Sequence, residues 1–282
     1  MDQANLHRVV IDASKGNSRY WSEMWKFREL FYFLAWRDLL VRYKQTAIGI
    51  LWSVLRPLLT MLVMVFIGWL FESNVPSHTP RILLVAAATL PWTFFSTAFS
   101  ESANSLIANS NLLTKVYFPR IIVPASTIIV CLVDFLISFV ILIVLMFIYQ
   151  YTPGWQIMLL PIFLFLALIA SFGAGIYIAA LNVKYRDFRY IVPFIVQFGL
   201  YVSPIAFSSS DIYNNERIPQ ILQWIYALNP MVSVIDGFRW CILGNTALYL
   251  PAFLLSLSVS SALLLYGIYY FRKTERSFAD II

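Results

Sequence analysis

Apolar residues run along this chain in long stretches separated by short polar connections. Six of them, 48–71, 82–103, 121–149, 155–181, 190–207 and 250–271, come close to or exceed the roughly 20 residues a helix needs to cross a bilayer. They are continuous runs of Leu, Ile, Val and Phe without the alternation of a membrane β-strand, so the pattern predicts helices. The fifth is the shortest and ends in Ser203-Pro204. A further apolar stretch, 218–243, is interrupted at Asn229-Pro230, where proline removes a helix hydrogen bond. It carries Asp236 and Arg239 on one helical face, spaced to pair locally. The pattern predicts two short helices there, about 218–228 and 231–243, dipping into one leaflet and returning. Such a pair needs protein or a water-filled cavity to satisfy its backbone, which places it at a pore mouth or a subunit interface. Ahead of the first span, residues 20–45 set Trp36, Leu39, Leu40 and Tyr43 at helical spacing, with Asp38, Arg42 and Gln45 on another face. That pattern predicts a helix lying in the membrane interface, its basic residues drawn to anionic headgroups.

Composition supports the same class. The 282 residues are 60% hydrophobic and 12% charged, with mean hydropathy +0.75, against the ~25% charged residues of soluble domains. A soluble globule and a disordered tail are both excluded. Cys131 and Cys241 lie in apolar stretches and are too few for a disulfide framework; each reads as a small buried apolar residue. The net charge of +6 would suit a nucleic-acid binder, but its distribution is topological. Sixteen of the 20 Lys and Arg residues fall on one side of a six-span arrangement, eight of them before Gln45. Arg81, Arg217 and Arg239 fall on the other side, and Arg56 lies within the first span. The positive-inside rule then puts both termini in the cytoplasm, with no nucleic-acid partner. A seventh crossing would carry Arg272 and Lys273 outside. No basic-then-apolar pattern precedes a small-residue cleavage site, so no cleaved signal peptide is expected.

The candidate chemistry is sparse. No Gly-Lys-Ser/Thr phosphate loop is present, so ATP hydrolysis is not expected on this chain. His7 and His78 both lie outside the spans, which leaves no histidine metal site or proton relay within them. Asp134 lies alone about 20 Å into the third span, and an intramembrane carboxylate signals function or a buried partner. Arg56, about 12 Å into the first span, is the natural candidate partner. Arg37, Arg42 and Lys44 would form a collar at the mouth of a pathway, meeting an anionic headgroup; a plain topological anchor is the alternative. The polar run containing Ser102, Asn104, Ser105, Asn109 and Asn111 predicts a short helix parallel to the membrane that docks a partner, or a solvated loop. Trp92, Phe95 and Phe99 share one helical face, and Phe194, Phe198 and Tyr201 share another. Together with Trp52 they are candidates to line a conduit, since aromatic faces stack on sugar rings and weak repeated contacts suit a sliding chain.

Four motifs, in order, are similar to those of the ABC-2 type polysaccharide export permeases. They are Arg37-Asp38-Leu39-Leu40-Val41-Arg42-Tyr43-Lys44-Gln45 through Trp52 with Leu55-Arg56-Pro57-Leu58, Leu113–Arg120, Asn182–Phe188, and Ala227-Leu228-Asn229-Pro230-Met231. The resemblance covers the chain from about residue 20 onward and is nearer the O-antigen branch than the capsule branch. It implies an all-α membrane protein forming one domain over 1–282. Its parts would be six transmembrane helices, an N-terminal amphipathic interface helix, and a re-entrant periplasmic helix pair between spans five and six. It further implies a half-transporter of the bacterial inner membrane: a homodimer of this chain with two copies of a separate ABC ATPase, which would hold the ATP and magnesium. The substrate would be a polyprenyl-pyrophosphate-linked polysaccharide such as O antigen, or teichoic acid in related branches. Ser102–Asn111 would be the coupling helix, and Asn229, Pro230, Asp236 and Arg239 would belong to a periplasmic gate. Family members commonly have an uncharged residue where Arg56 stands, so no role passes to it. Two other classes remain for comparison. An ion-coupled flippase of lipid-linked oligosaccharides would need more titratable groups and an internal repeat. A membrane-embedded glycosyl- or phosphotransferase would need paired carboxylates or a metal site, and Asp211, Glu216 and Asp236 lack metal-like spacing.

Overall fold

The computed structural model describes residues 17–44, 49–70, 80–244, 248–275 and 278, all in helices or the turns that join them. Two helices lead: α1 (Asn17–Lys26) and α2 (Arg28–Lys44). Next come α3 (Gly49–Leu70), α4 (Arg81–Ala108), the short α5 (Ser110–Lys115) and α6 (Ile122–Ile148). A 3₁₀ turn at Trp155–Leu159 enters α7 (Leu160–Lys184), which is followed by α8 (Phe188–Val202). The short α9 (Ser210–Tyr213) and α10 (Gln220–Ala227) precede α11 (Pro230–Leu243) and the terminal α12 (Leu250–Thr274).

Among the described residues, four helical stretches are long and apolar enough to cross a membrane: Arg81–Ala108, Ile122–Ile148, Trp155–Lys184 and Leu250–Thr274. They coincide with the expected second, third, fourth and sixth spans. The apolar stretches Val54–Leu70 and Phe188–Val202 are shorter; fifteen residues rise only about 22 Å.

α4 is the axis of the bundle, touching α3, α6, α7, α8 and α11. Its middle is almost wholly buried, and three successive alanines, Ala86 to Ala88, are completely enclosed. Small residues matter here because lipid is as apolar as a leucine side chain, so close van der Waals packing must supply much of the helix association. The crossing of α7 and α12 makes the same point. A Cβ on Gly173 would lie 2.5 Å from the backbone nitrogen of Leu264, and one on Gly267 would meet the carbonyl of Gly173.

Three local outcomes differ from the pattern-based expectation. First, Ser102, Asn104 and Ser105 do not sit in a separate polar helix; α4 continues through them to Ala108. The Asn104 and Ser105 side chains bond within the helix, Asn104 Nδ2 to the Ser100 carbonyl and Ser105 Oγ to the Ser102 carbonyl, while Ser102 Oγ is buried without a partner, so polarity does not break it. The break comes at Asn109, and only Asn111 of the expected coupling residues falls in α5. Second, the 20–45 segment is two helices separated at Phe27. Third, the polar residues of α2 turn toward the protein. Trp36 and Leu40 are exposed while Arg37, Asp38 and Arg42 are half-buried. Against a lipid environment this inversion is sensible, because charged groups find partners inside. Gln45 lies outside the described residues.

Candidate functional site: a charged cleft between α2, α4 and α6

The cleft arises from three stripes. α2 supplies Arg37, Asp38, Val41 and Arg42; α4 supplies Glu101, Asn104, Ser105, Ala108 and Asn109; α6 supplies Thr127 and Val130. Within α4 and α6 the spacings are largely three and four, which stack residues on one helical face. The resulting volume is about 540 Å³.

One arginine holds its floor together. Arg42 Nη1 donates to Asp134 Oδ2 at 2.7 Å, and Nη2 donates to Glu101 Oε1 at 2.8 Å. The Tyr43 hydroxyl donates to the other Asp134 oxygen. Asp134 lies about 18 Å along α6 from its first residue, a depth at which an unpaired carboxylate would be expensive. Higher in the cleft, Arg37 donates through Nε and Nη2 to Asp38 Oδ1 at 2.9 and 2.7 Å, and through Nη2 to Asn109 Oδ1 at 2.7 Å. Asn109 Nδ2 in turn donates to the Ser105 carbonyl. Two guanidinium charges thus face three carboxylates (Asp38, Glu101, Asp134). The cleft is a mixed, slightly acidic site rather than a cationic cradle, and it ties α2 to both α4 and α6.

The expected pairing of Asp134 with Arg56 is corrected by this geometry. Arg56 is exposed, whereas α2 runs alongside α6 and delivers Arg42 to the carboxylate. Lys44, at the end of α2, is also exposed. Glu101 and Tyr43 were not among the residues expected from sequence. The readable signal for Glu101 is its place on one face with Asn104, Ser105 and Ala108, a polar stripe at the end of an apolar helix.

The aromatic candidates do not share one surface. Trp92 and Phe99 are buried, linked by stacking through Phe95: centroids are 5.6 Å apart for Trp92–Phe95 and 5.9 Å for Phe95–Phe99. Trp92 packs on α8 at Gly199, where a Cβ would come within 2.6 Å of the indole. Phe194, Phe198 and Tyr201 point away from the protein, each more than half exposed, with Phe194 and Phe198 stacked at 6.0 Å. The Trp52 side chain lies outside the described residues.

The broken pair α10–α11 is built as its residues dictate. The Asn229 side chain accepts from the Met231 amide at 3.0 Å and caps α11, and Pro230 occupies the first helical position, where its missing N–H is not needed. Asn229 Nδ2 also donates to Ser203 Oγ at 3.1 Å, joining the break to the end of α8. Arg239 is only 1% exposed. It donates to the carbonyls of Leu84 (3.3 Å), Phe207 (2.9 Å) and Ile205 (2.9 Å). Residues 203–207 are non-helical, so their carbonyls are available. Asp236 is also buried and feels the Arg239 charge. The expected local pairing of Asp236 with Arg239 is not formed as an ion pair among the described residues; the guanidinium is held by backbone carbonyls instead.

The family described as ABC-2 type transporter matches residues 29–243. The O-antigen export system permease protein RfbA of Myxococcus xanthus is 31% identical over 218 residues, covering 77% of this chain and 81% of that protein. A Klebsiella pneumoniae O-antigen export system permease protein RfbA is 30% identical over 251 residues, covering 87% of this chain and 92% of its own length. The polysialic acid transport protein KpsM of Escherichia coli is 25% identical over 210 residues, covering 72% and 77% respectively.

Proposed function

The chain belongs to the ABC-2 type transporter family, and we propose that it is the membrane subunit of an ATP-driven exporter of a polysaccharide carried on a polyprenyl pyrophosphate. The observation that carries this reading is the similarity to an O-antigen export permease over 87% of the chain. The chain is a transporter subunit rather than an enzyme, with ATP and magnesium held by a separate ATPase. In this reading α3, α4, α6, α7, α8 and α12 cross the bacterial inner membrane and the termini lie in the cytoplasm. The α10–α11 pair stays at the periplasmic side, and two copies flank the conduit. The exposed Phe194, Phe198 and Tyr201 then turn toward the second copy and the glycan, while Trp92 and Phe99 brace α8 from behind.

The mechanism follows from the cleft. α2 is held to α4 and α6 through Arg37 and Arg42, and α5 with the end of α4 meets the ATPase. Movement of that end on ATP binding strains the Arg42–Glu101 and Arg37–Asn109 contacts and rocks α2 against α6, a rigid-body switch. Pyrophosphate reaches exposed Lys44 first. Its binding at Arg37 or Arg42 exchanges one anion for another, because both guanidinium groups already hold carboxylates; this favours release as well as capture. The test is reconstitution with a cognate ABC ATPase, in vesicles containing undecaprenyl-pyrophosphate-linked glycan. ATP-dependent movement of that glycan is expected. Movement by this chain alone under an ion gradient would overturn the assignment.

A further inference from the structure

A second cluster gathers Tyr20 of α1, Arg120 and Glu275 and is used by nothing above. Glu275 follows the last residue of α12 and is mostly buried. Its Oε1 accepts from the Arg120 amide at 2.6 Å, and its Oε2 accepts from the Tyr20 hydroxyl at 3.0 Å. The Arg120 guanidinium donates back to the Glu275 carbonyl. Two cation–aromatic contacts close the cluster: Arg272 over the Tyr20 ring at 4.5 Å and Arg120 over the Phe278 ring at 5.8 Å. Phe278 is buried against Phe271 of α12, with ring centroids 5.4 Å apart.

The electrostatics are reciprocal. Arg120 immediately precedes the first turn of α6, so the Glu275 carboxylate sits at the positive end of that helix; Arg120 in turn presents a cation to the negative end of α12. Burial pushes the Glu275 carboxyl upward, while its hydrogen bonds and the charges of Arg120 and Arg272 pull it back. Both carboxylate oxygens and the Glu275 carbonyl have donors, so the cluster is satisfied and stiff. It joins three elements distant in sequence: α1, the turn between α5 and α6, and the end of α12.

Resting on the reading that α5 meets the ATPase, we infer that Glu275, Arg120 and Tyr20 form a strut that carries motion of the α5–α6 turn to α1 and α12 together. These are positioning residues: they touch neither glycan nor nucleotide, and act by keeping three helix ends moving as one body. A cluster that merely aids folding would lower the amount of complex without changing what each complex does. A strut sets how much export each hydrolysis event yields.

The test uses the full complex with its ATPase. Surface polysaccharide is measured in cells lacking the native chain, at matched complex levels, alongside ATP hydrolysis by the purified complex. Glu275→Ala is expected to keep hydrolysis within about twofold while export per complex falls roughly tenfold, the scale of hydrogen bonds to a charged group. Glu275→Gln keeps the acceptor for the Arg120 amide and should recover part of the loss. Tyr20→Phe, which frees α1 alone, should lower export about threefold. If Glu275→Ala does not assemble, Tyr20→Phe and Glu275→Gln decide. Export per complex equal to wild type in the assembling variants, or hydrolysis falling in step with export, overturns the strut. A wild-type complex that displays no polysaccharide in an ATP-dependent way would overturn the transport reading instead.

Discussion

Two arginines in this protein solve the same problem in opposite ways. Arg239 is sealed in the α11 knot at 1% exposure and bonded to three backbone carbonyls. Arg42 bridges α2 to α4 and α6, with 29% of its side chain exposed, and is bonded to two carboxylates. Backbone carbonyls cannot rotate away without unfolding a segment, whereas carboxylates on mobile side chains can exchange partners. The first arrangement is a rivet, and the second is a clamp that can open. In the proposed mechanism both are used, the rivet to hold shape and the clamp to move.

The largest expected effect follows at the rivet. Arg239→Ala leaves the non-helical Ile205 and Phe207 carbonyls without their donor and opens a void among α4, α11 and the 203–207 segment, a loss of about 3 kcal/mol or more. The variant should fail to yield monodisperse protein on detergent extraction. Arg239→Lys should not restore it, since one ammonium does not reproduce the forked guanidinium. At the clamp, Arg42→Ala takes the cation from Asp134 while leaving the Tyr43 hydroxyl bonded to it, and should cost about 2 kcal/mol, less than a fully buried pair because the site is partly open. Adding Asp134→Asn should return part of that stability, read as a raised thermal midpoint in a double-mutant cycle; a further fall would mean the two are not partners. Asn229→Ala removes the cap of α11, worth about 1 kcal/mol, and should appear as a modest shift in thermal midpoint. The smallest effect is expected from Arg37→Ala, whose half-buried pair with the adjacent Asp38 is open to solvent on one side and should contribute below about 1 kcal/mol. Its consequence should show instead in export, through the lost contact with Asn109.

Much of the candidate site was legible as parts without their assembly. Asp134 stood out because a carboxylate deep in an apolar run is costly, and Arg37 and Arg42 because they punctuate an amphipathic helix. Their relationship was not legible. Depth alone suggested Arg56 for Asp134, yet a helix outside the expected spans runs beside α6 and presents Arg42. The polar stretch after the second span misled in a related way. Ser and Asn residues usually mark loops, but here they bond to carbonyls three and four residues back and α4 continues through them.

Local rules determined the all-helical membrane class, the four long apolar helices, the interruption at Asn229-Pro230 and the absence of a phosphate loop. Each depends on residue type and short-range spacing, so the chain states it without reference to distant parts. Tertiary structure alone decided that the polar face of α2 turns inward, that Trp92 and Phe99 are enclosed while Phe194, Phe198 and Tyr201 are exposed, and that Glu275 reaches Tyr20 and Arg120. Periodicity tells which residues share a face but not which neighbour that face meets. In a chain whose helices are apolar on nearly every side, burial preference is too even to choose, and close packing at glycine and alanine contacts makes the choice.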